Sequence, residues 1–293
     1  MEYRSFGKTG MRLSVVGVGG LLAHYYEGWP SGSASPGEKR EIYLRALELG
    51  INLFDTGYGD EAYIPDELKG ARDDLHFALK VVPKTAEDLP LRVEKELRNL
   101  RRERIDILRL HHYQFMNEDG IAEAVARLRQ EGKIRSLCLI RHFHADQEAY
   151  AERGPETVAD ADLVIYNYVC RWQEAGLRHS EQAGTGVLVM KALGGQWLSW
   201  EDKTTTDWSA CDERKIVELS GAPDIESDLA LVYPIVNGPW HELADPGERT
   251  PRTERAVGWV LQNPAVCTVL VGVATVAELE EAVGARDRVR KAA

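Results

Sequence analysis

Eight short apolar runs recur along the chain, and they constrain its fold more than any other feature. They read LSVVGVGG (13–20), INLFDT (51–56), LHFALKVV (75–82), IDILRLH (105–111), IRSLCLI (134–140), LVIYNYV (163–169), GVLVMKAL (186–193) and CTVLVGV (267–273). Each is continuous rather than alternating, the pattern of a parallel strand buried on both faces. Helical periodicity fills most of the intervals. In GIAEAVARLRQEGK, Ile121, Ala124, Val125 and Leu128 share one face, and Gly132 is a natural stop. Val93, Leu97 and Leu100 repeat the spacing in LRVEKELRNLRRE. TVAELEEAV opens on Thr275, an N-cap residue, with Glu278 three positions on in a capping-box pattern.

Strand and helix in this alternation predict an α/β chain, a (β/α)8 barrel. A doubly wound open sheet is the alternative. Its dinucleotide version is disfavoured by GVGGLLA, where Leu22 stands at the third glycine of GxGxxG. The length of 293 residues suits one large barrel or two ordinary domains. One interval breaks the rhythm: residues 194–250 follow the seventh run and carry Trp197, Trp200, Trp208 and Trp240. The first run also opens into HYYEGW, with Tyr25, Tyr26 and Trp29. Both segments would lie at the C-terminal mouth of a barrel, where active sites are built. They suggest an aromatic pocket and a fairly large or ring-containing ligand, set against ordinary loop-to-loop packing.

Composition narrows the partners. The chain has 36 Lys plus Arg against 47 Asp plus Glu, a net charge of −11. General electrostatic binding to nucleic acid or an anionic membrane is therefore disfavoured. Cys138, Cys170, Cys211 and Cys267 form no CxxC pair, and Cys138 and Cys267 fall inside apolar runs, as small core residues do. MEYRSFGKTG has no apolar signal core, and no run approaches the ~18 apolar residues of a membrane span. A cytoplasmic protein is the expectation.

Polar residues cluster where the runs end. Asp55 closes the second, Lys80 sits near the end of the third, and His111 and His112 close the fourth. Arg141, His142 and His144 follow the fifth, and Lys191 lies in the seventh. A lysine within FALKVV is costly to bury unless paired, and Asp55 is the expected partner. Taken singly, each is as well explained by a solvated strand end. Together they suit proton transfer to a carbonyl oxygen: an ammonium lowers a nearby phenol's pKa, a carboxylate holds the ammonium, and a histidine orients the carbonyl.

With these residues in place, the sequence resembles the aldo-keto reductase superfamily along nearly its whole length. MEYRSFGKTGMRLSVVGVGG is similar to the family's opening hairpin and first strand, and INLFDTGYG to its FDTAxxYG motif. FALKV, IDILRLH, RLRQEGKIRSLCLI, GVLVMKALGG and WVLQNPAVCTVLVGVATVAELEEAV match family blocks in order. The MKAL and RH blocks look closest to the microbial branch with an SGH motif after strand five. The resemblance implies a single barrel domain over 1–293 with an N-terminal hairpin and a long loop after strand seven. It also implies NADPH or NADH as cofactor, a small-molecule carbonyl substrate, and a catalytic tetrad that falls on Asp55, Tyr58, Lys80 and His111. The implied cofactor positions are Gly20, His142, Asn167, Met190, Lys191, Leu193, Gly272, Thr275 and Glu278.

The departures cluster on the acid and the cofactor. The family tyrosine stands five residues after the aspartate, whereas Tyr58 is three after Asp55, leaving Tyr63 as the runner-up acid or a helix-packing residue. The strand-six glutamine that touches nicotinamide falls on Leu163, and the stacking tyrosine on Met190. The cation for the 2′-phosphate falls on Ala274 and a nearby asparagine on Ala282, while the acidic Glu278 remains. This weakens NADPH relative to NADH. Arg141 is the residue that could compensate by reaching a phosphate or a substrate carboxylate. Carbonyl reduction is the leading reading, and a non-redox lyase, dehydratase or isomerase using the same acid–base group is the alternative. A metal-dependent hydrolase, with Asp55, His111 or His112, and His142 or His144 on one ion, is a third and weaker one.

Overall fold

The computed structural model describes residues 1–19, 35–56, 63–70, 72–168, 170–193, 240–248 and 251–292. A two-stranded antiparallel hairpin, β1 (Tyr3–Ser5) and β2 (Arg12–Ser14), precedes the barrel. The barrel strands are β3 (Val16–Val18), β4 (Leu53–Asp55), β5 (His76–Lys80), β6 (Ile105–His111) and β7 (Ile134–Arg141), then β8 (Ala161–Ile165), β9 (Gly186–Met190) and β10 (Thr268–Val271). They pair in parallel in chain order, and β10 pairs with β3 to close the ring. Each of the eight apolar runs supplies one of these strands, so the (β/α)8 expectation holds and the open sheet does not.

The described helices are α1 (Pro36–Glu48), α2 (Asp88–Leu100), α3 (His112–Asn117), α4 (Ile121–Gln130), α5 (His144–Arg153), α6 (Glu174–Ala183), α7 (Thr253–Leu261) and α8 (Val276–Ala292). Their ends follow local chemistry. Ser35 caps α1: its hydroxyl accepts from the Glu38 N–H, Glu38 returns the bond, and Pro36 opens the first turn. Gly132, at φ +71°, turns the chain after α4, where the sequence placed a stop. Val93, Leu97 and Leu100 of α2 and Ile121, Val125 and Leu128 of α4 are buried, as their spacing requires. Among the described residues, no helix is long and apolar enough to cross a membrane.

Strand parity divides the core in two. Leu53, Ala78, Ile107, Cys138, Ile140, Ala161, Leu163, Leu188 and Leu270 form the barrel interior. Phe54, Phe77, Leu79, Leu108, Leu137, Leu139, Val164, Val187 and Val189 alternate with them and face the helices. The hairpin plugs the N-terminal end, because Phe6, Met11 and Leu13 join the interior cluster at 0–2% exposure. Burying a side chain of that size contributes about 1.5–3 kcal/mol. The plug needs Gly186, where an added Cβ would lie 2.7 Å from the Phe6 ring.

Candidate active site

The C-terminal ends of β4, β5 and β6 carry the charged residues inward. Asp55 shares the parity of Leu53, Lys80 that of Ala78, and His111 that of Ile107. Register places Asp55 opposite Ala78 and Lys80 opposite Arg109. Thr56 braces the first two ends, its N–H donating to the Ala78 carbonyl and its hydroxyl accepting from the Lys80 N–H.

Arg109 is the residue that the sequence reading missed. It too points into the barrel, and its Nη2 donates to Asp55 Oδ1 at 2.5 Å, with the two side chains 4% and 2% exposed. The Asp55 carboxylate therefore faces a guanidinium as well as the lysine expected to pair with it. The consequence reaches Lys80, whose pKa is lowered to about 8 by burial first and by the Arg109 charge second, with Asp55 acting the other way. His111 is lowered to about 4, by burial and then by Lys80. It is a neutral imidazole at pH 7, able to donate one hydrogen bond.

His142 joins this group just after β7. Its ring lies 6.0 Å from that of His111, and Phe143 lies 5.1 Å from His111. Burial holds His142 well below the ordinary histidine value, with Lys191 and then Lys80 adding to the effect. Lys191 follows β9 in the left-handed region, at φ 58°, which is uncommon outside glycine. Asn167 fixes that turn: its Nδ2 donates to the Lys191 carbonyl at 2.9 Å, and its Oδ1 accepts from the Cys170 N–H. The mouth thus gathers Asp55, Lys80, Arg109, His111, His142 and Lys191.

Other expected residues make packing or capping contacts of their own. Leu193 packs against the outer, helix-side core, and Met190 against the barrel interior. Tyr63 packs on Tyr43 with ring centroids 6.2 Å apart, which is the helix-packing role. Thr275 caps α8, accepting from the Glu278 N–H, while Glu278 accepts from the Ala274 N–H at 2.7 Å. Gly20, Tyr58 and the aromatics of 25–29 and 197–208 lie outside the described residues.

Two sequence readings change. Arg141 does not reach the mouth. It has the opposite parity to Ile140, is fully buried, donates from Nε to Asp162 at 2.7 Å, and lies over the Tyr150 ring of α5. The reason is that β7 runs through Arg141 and so turns that side chain toward the helices. His112 also faces outward, with Nδ1 2.9 Å from Asp146 and Nε2 3.1 Å from Glu156. It therefore does not converge with His111 and Asp55 on one ion. Among the described residues, no group of three or more His, Cys, Asp or Glu is arranged to hold a metal.

A nicotinamide dinucleotide finds a partial fit. His111 Nδ1 and His142 Nε2 are buried and have no hydrogen-bond partner among the described residues. Gly272 follows β10 with open space where a Cβ would stand, and the N-terminus of α8 comes next, the kind of end that accepts an anion. Against these, Leu163 presents an apolar surface inside the barrel, and Asn167 already braces a turn. The residues fit the group at the ring end and at the β10–α8 turn, with fewer amide contacts than the resemblance implies.

The comparisons with known proteins agree with this architecture. The profile of the Aldo/keto reductase family matches residues 19–291. L-galactose dehydrogenase of Arabidopsis thaliana is 26% identical over 306 aligned positions, covering 97% of this chain and 88% of that protein. An aldo-keto reductase of Bacillus halodurans superposes in its apo form with a TM-score of 0.66 at 22% identity, over 100% of this chain and 96% of that one. Its holo form gives a TM-score of 0.66 at 20% identity, over the same shares of the two chains. With a barrel of this order and a profile match over nearly its full length, the chain belongs to the aldo/keto reductase family.

Proposed function

We propose that this chain is a nicotinamide-dependent oxidoreductase that interconverts a small-molecule carbonyl and its alcohol, through Asp55, Tyr58, Lys80 and His111. The observation that carries the reading is the convergence of Asp55, Lys80 and His111 on the ends of three consecutive inward-facing strands. The carbonyl oxygen would sit beside His111, whose neutral ring donates a hydrogen bond and orients it. Lys80, an ammonium below about pH 8, stabilises the charge that develops on the oxygen and favours loss of a proton from Tyr58. Asp55 holds Arg109, and its charge favours the Lys80 ammonium. Bound nicotinamide supplies or accepts the hydride. Its ring end would meet His142, Met190 and Lys191, and Gly20, Asn167 and Leu193 would frame the passage to its phosphates. Gly272, Thr275 and Glu278 would meet the adenosine end.

The reading favours NADH over NADPH. The α8 N-terminus carries Ala274 where a 2′-phosphate would need a cation, and the Glu278 carboxylate stands at the same turn. Fluorescence titration of the purified protein with NADH and NADPH tests this directly. Tighter binding of NADH is expected, and Ala274→Arg should narrow the gap by roughly tenfold. Turnover should be assayed with aromatic aldehydes and, because one relative is an L-galactose dehydrogenase, with aldoses in the oxidative direction. No binding of either nucleotide would overturn the redox reading and leave acid–base chemistry on the same residues.

A further inference from the structure

The inner face of β6 holds a cation that neither the sequence reading nor the family resemblance supplies. Arg109 lies two residues before His111, on the same face, directly across from Lys80 in the β5–β6 register. Its guanidinium is bonded to Asp55 and is almost wholly buried. A guanidinium is a planar, delocalised cation with no neutral form in a protein. Its charge therefore acts on its neighbours under all ordinary conditions.

We propose that Arg109 is a positioning residue of this site: it fixes the Asp55 carboxylate and, standing directly across from Lys80, divides that carboxylate between two cations, so that Lys80 is not held by Asp55 alone. The inference rests on the function proposed above for the role of Lys80, but its electrostatic core does not depend on turnover. The charged and titratable groups facing Lys80 come from several elements: Asp55 from β4, Arg109 and His111 from β6, and His142 after β7, with Lys191 beyond it after β9. His111 and His142 are held neutral at pH 7, so the two opposed charges closest to the question are Asp55 and Arg109. Asp55 pulls Lys80 toward the ammonium, and Arg109 pushes it toward the amine.

The test follows the Lys80 amine itself. The whole protein is pulse-labelled with acetic anhydride across a pH series, and labelling of Lys80 is quantified by peptide mass spectrometry against the exposed lysines. In the unsubstituted protein, Lys80 should reach half-maximal reactivity near pH 8. In Arg109→Gln the midpoint should rise by about one unit or more, while in Arg109→Lys it should stay close to the starting value. Arg109→Gln leaves Asp55 with less countercharge and could fail to fold. The cycle is therefore completed with Asp55→Asn and Asp55→Asn/Arg109→Gln, the second of which removes one charge of each sign. The double variant should show a higher Lys80 midpoint than Asp55→Asn alone.

An unmoved midpoint in Arg109→Gln, or equal midpoints in Asp55→Asn and the double variant, would overturn the proposal. The basic limb of the rate profile in Arg109→Gln should move with the labelling midpoint, with the nucleotide KM nearly unchanged. A labelling midpoint that moves in a protein that oxidises and reduces nothing would retire the oxidoreductase reading and leave Arg109 as assigned. Turnover with an unmoved midpoint would do the reverse.

Discussion

Arg109–Asp55 and Arg141–Asp162 are the same chemical pair built on neighbouring parts of one barrel, the first inside the ring of strands and the second outside it. The inner pair borders Lys80 and His111, two groups whose charged forms burial disfavours. The outer pair is sealed between β7, β8 and α5, with Tyr150 over the guanidinium. Its bonding is thin: among the described residues, Arg141 Nη1 and Nη2 and Asp162 Oδ2 find no hydrogen-bond partner. Burial raises the Asp162 carboxyl above the ordinary range even with Arg141 beside it. An ion pair in that state gains little over well-packed apolar groups, yet breaking it leaves a lone buried charge. The difference teaches that strand parity, rather than residue type, decides whether a buried pair faces the barrel mouth or is packed against the helices.

The comparison breaks most visibly at its chemical end. Lys80→Met should lower turnover by roughly 10²–10⁴-fold with little change in thermal midpoint. An active Lys80→Met enzyme would put the inner group on the same footing as the outer one. At the outer pair the effect should appear in stability instead. Asp162→Leu alone should cost about 3–5 kcal/mol in urea unfolding, because Arg141 is left uncompensated. Arg141→Met/Asp162→Leu should recover most of that loss and retain activity. A stable double variant without activity would mean that Arg141 acts on the mouth after all.

The pH response sharpens the contrast further. The Lys80 ammonium is present below its folded value of about 8 and is lost as pH rises through it, so the rate of carbonyl reduction should fall across that window. A rate that is flat between pH 7 and 9, followed at saturating substrate, would remove Lys80 from the rate-determining group. The smallest effect lies far from both pairs. Thr275→Ala removes one cap hydrogen bond from α8 and should cost about 1 kcal/mol by the same urea measurement, a baseline for ordinary structural damage.

Much of the barrel was legible because parallel strands buried on both faces leave continuous apolar runs, and each of those runs became a strand. Asp55, Lys80 and His111 were legible for a related reason, since charge inside or at the end of such a run has to be explained. Arg109 carries the same signal in LRLH, two residues before His111: a guanidinium inside an apolar run also has to be explained. Arg141 was misread for a geometric reason. The apolar run ends at Ile140, but the strand continues one residue further, and that residue faces the other way. His112 is displaced from the site for another reason: β6 ends at His111, and His112 opens α3, where its ring meets Asp146 and Glu156. Asn167 also holds the backbone, because its bond to the Lys191 carbonyl ties the end of β8 to the end of β9 while its bond from the Cys170 N–H closes a local turn, and no sequence pattern announces either contact.

The hairpin plug and the β10–β3 seam also determine when the site can exist. Arg4 donates to the carbonyls of Val266 and Leu261, Thr268 to that of Ser14, and the Phe6 ring lies against Gly186. The first strands made on the ribosome therefore wait for some of the last before either is covered. Until β10 emerges, β3 and β9 remain open edges, the kind that pair with other chains. Contacts of such long sequence separation slow folding. The interval between synthesis of β3 and synthesis of β10 is thus the period in which this chain is most exposed to misassembly.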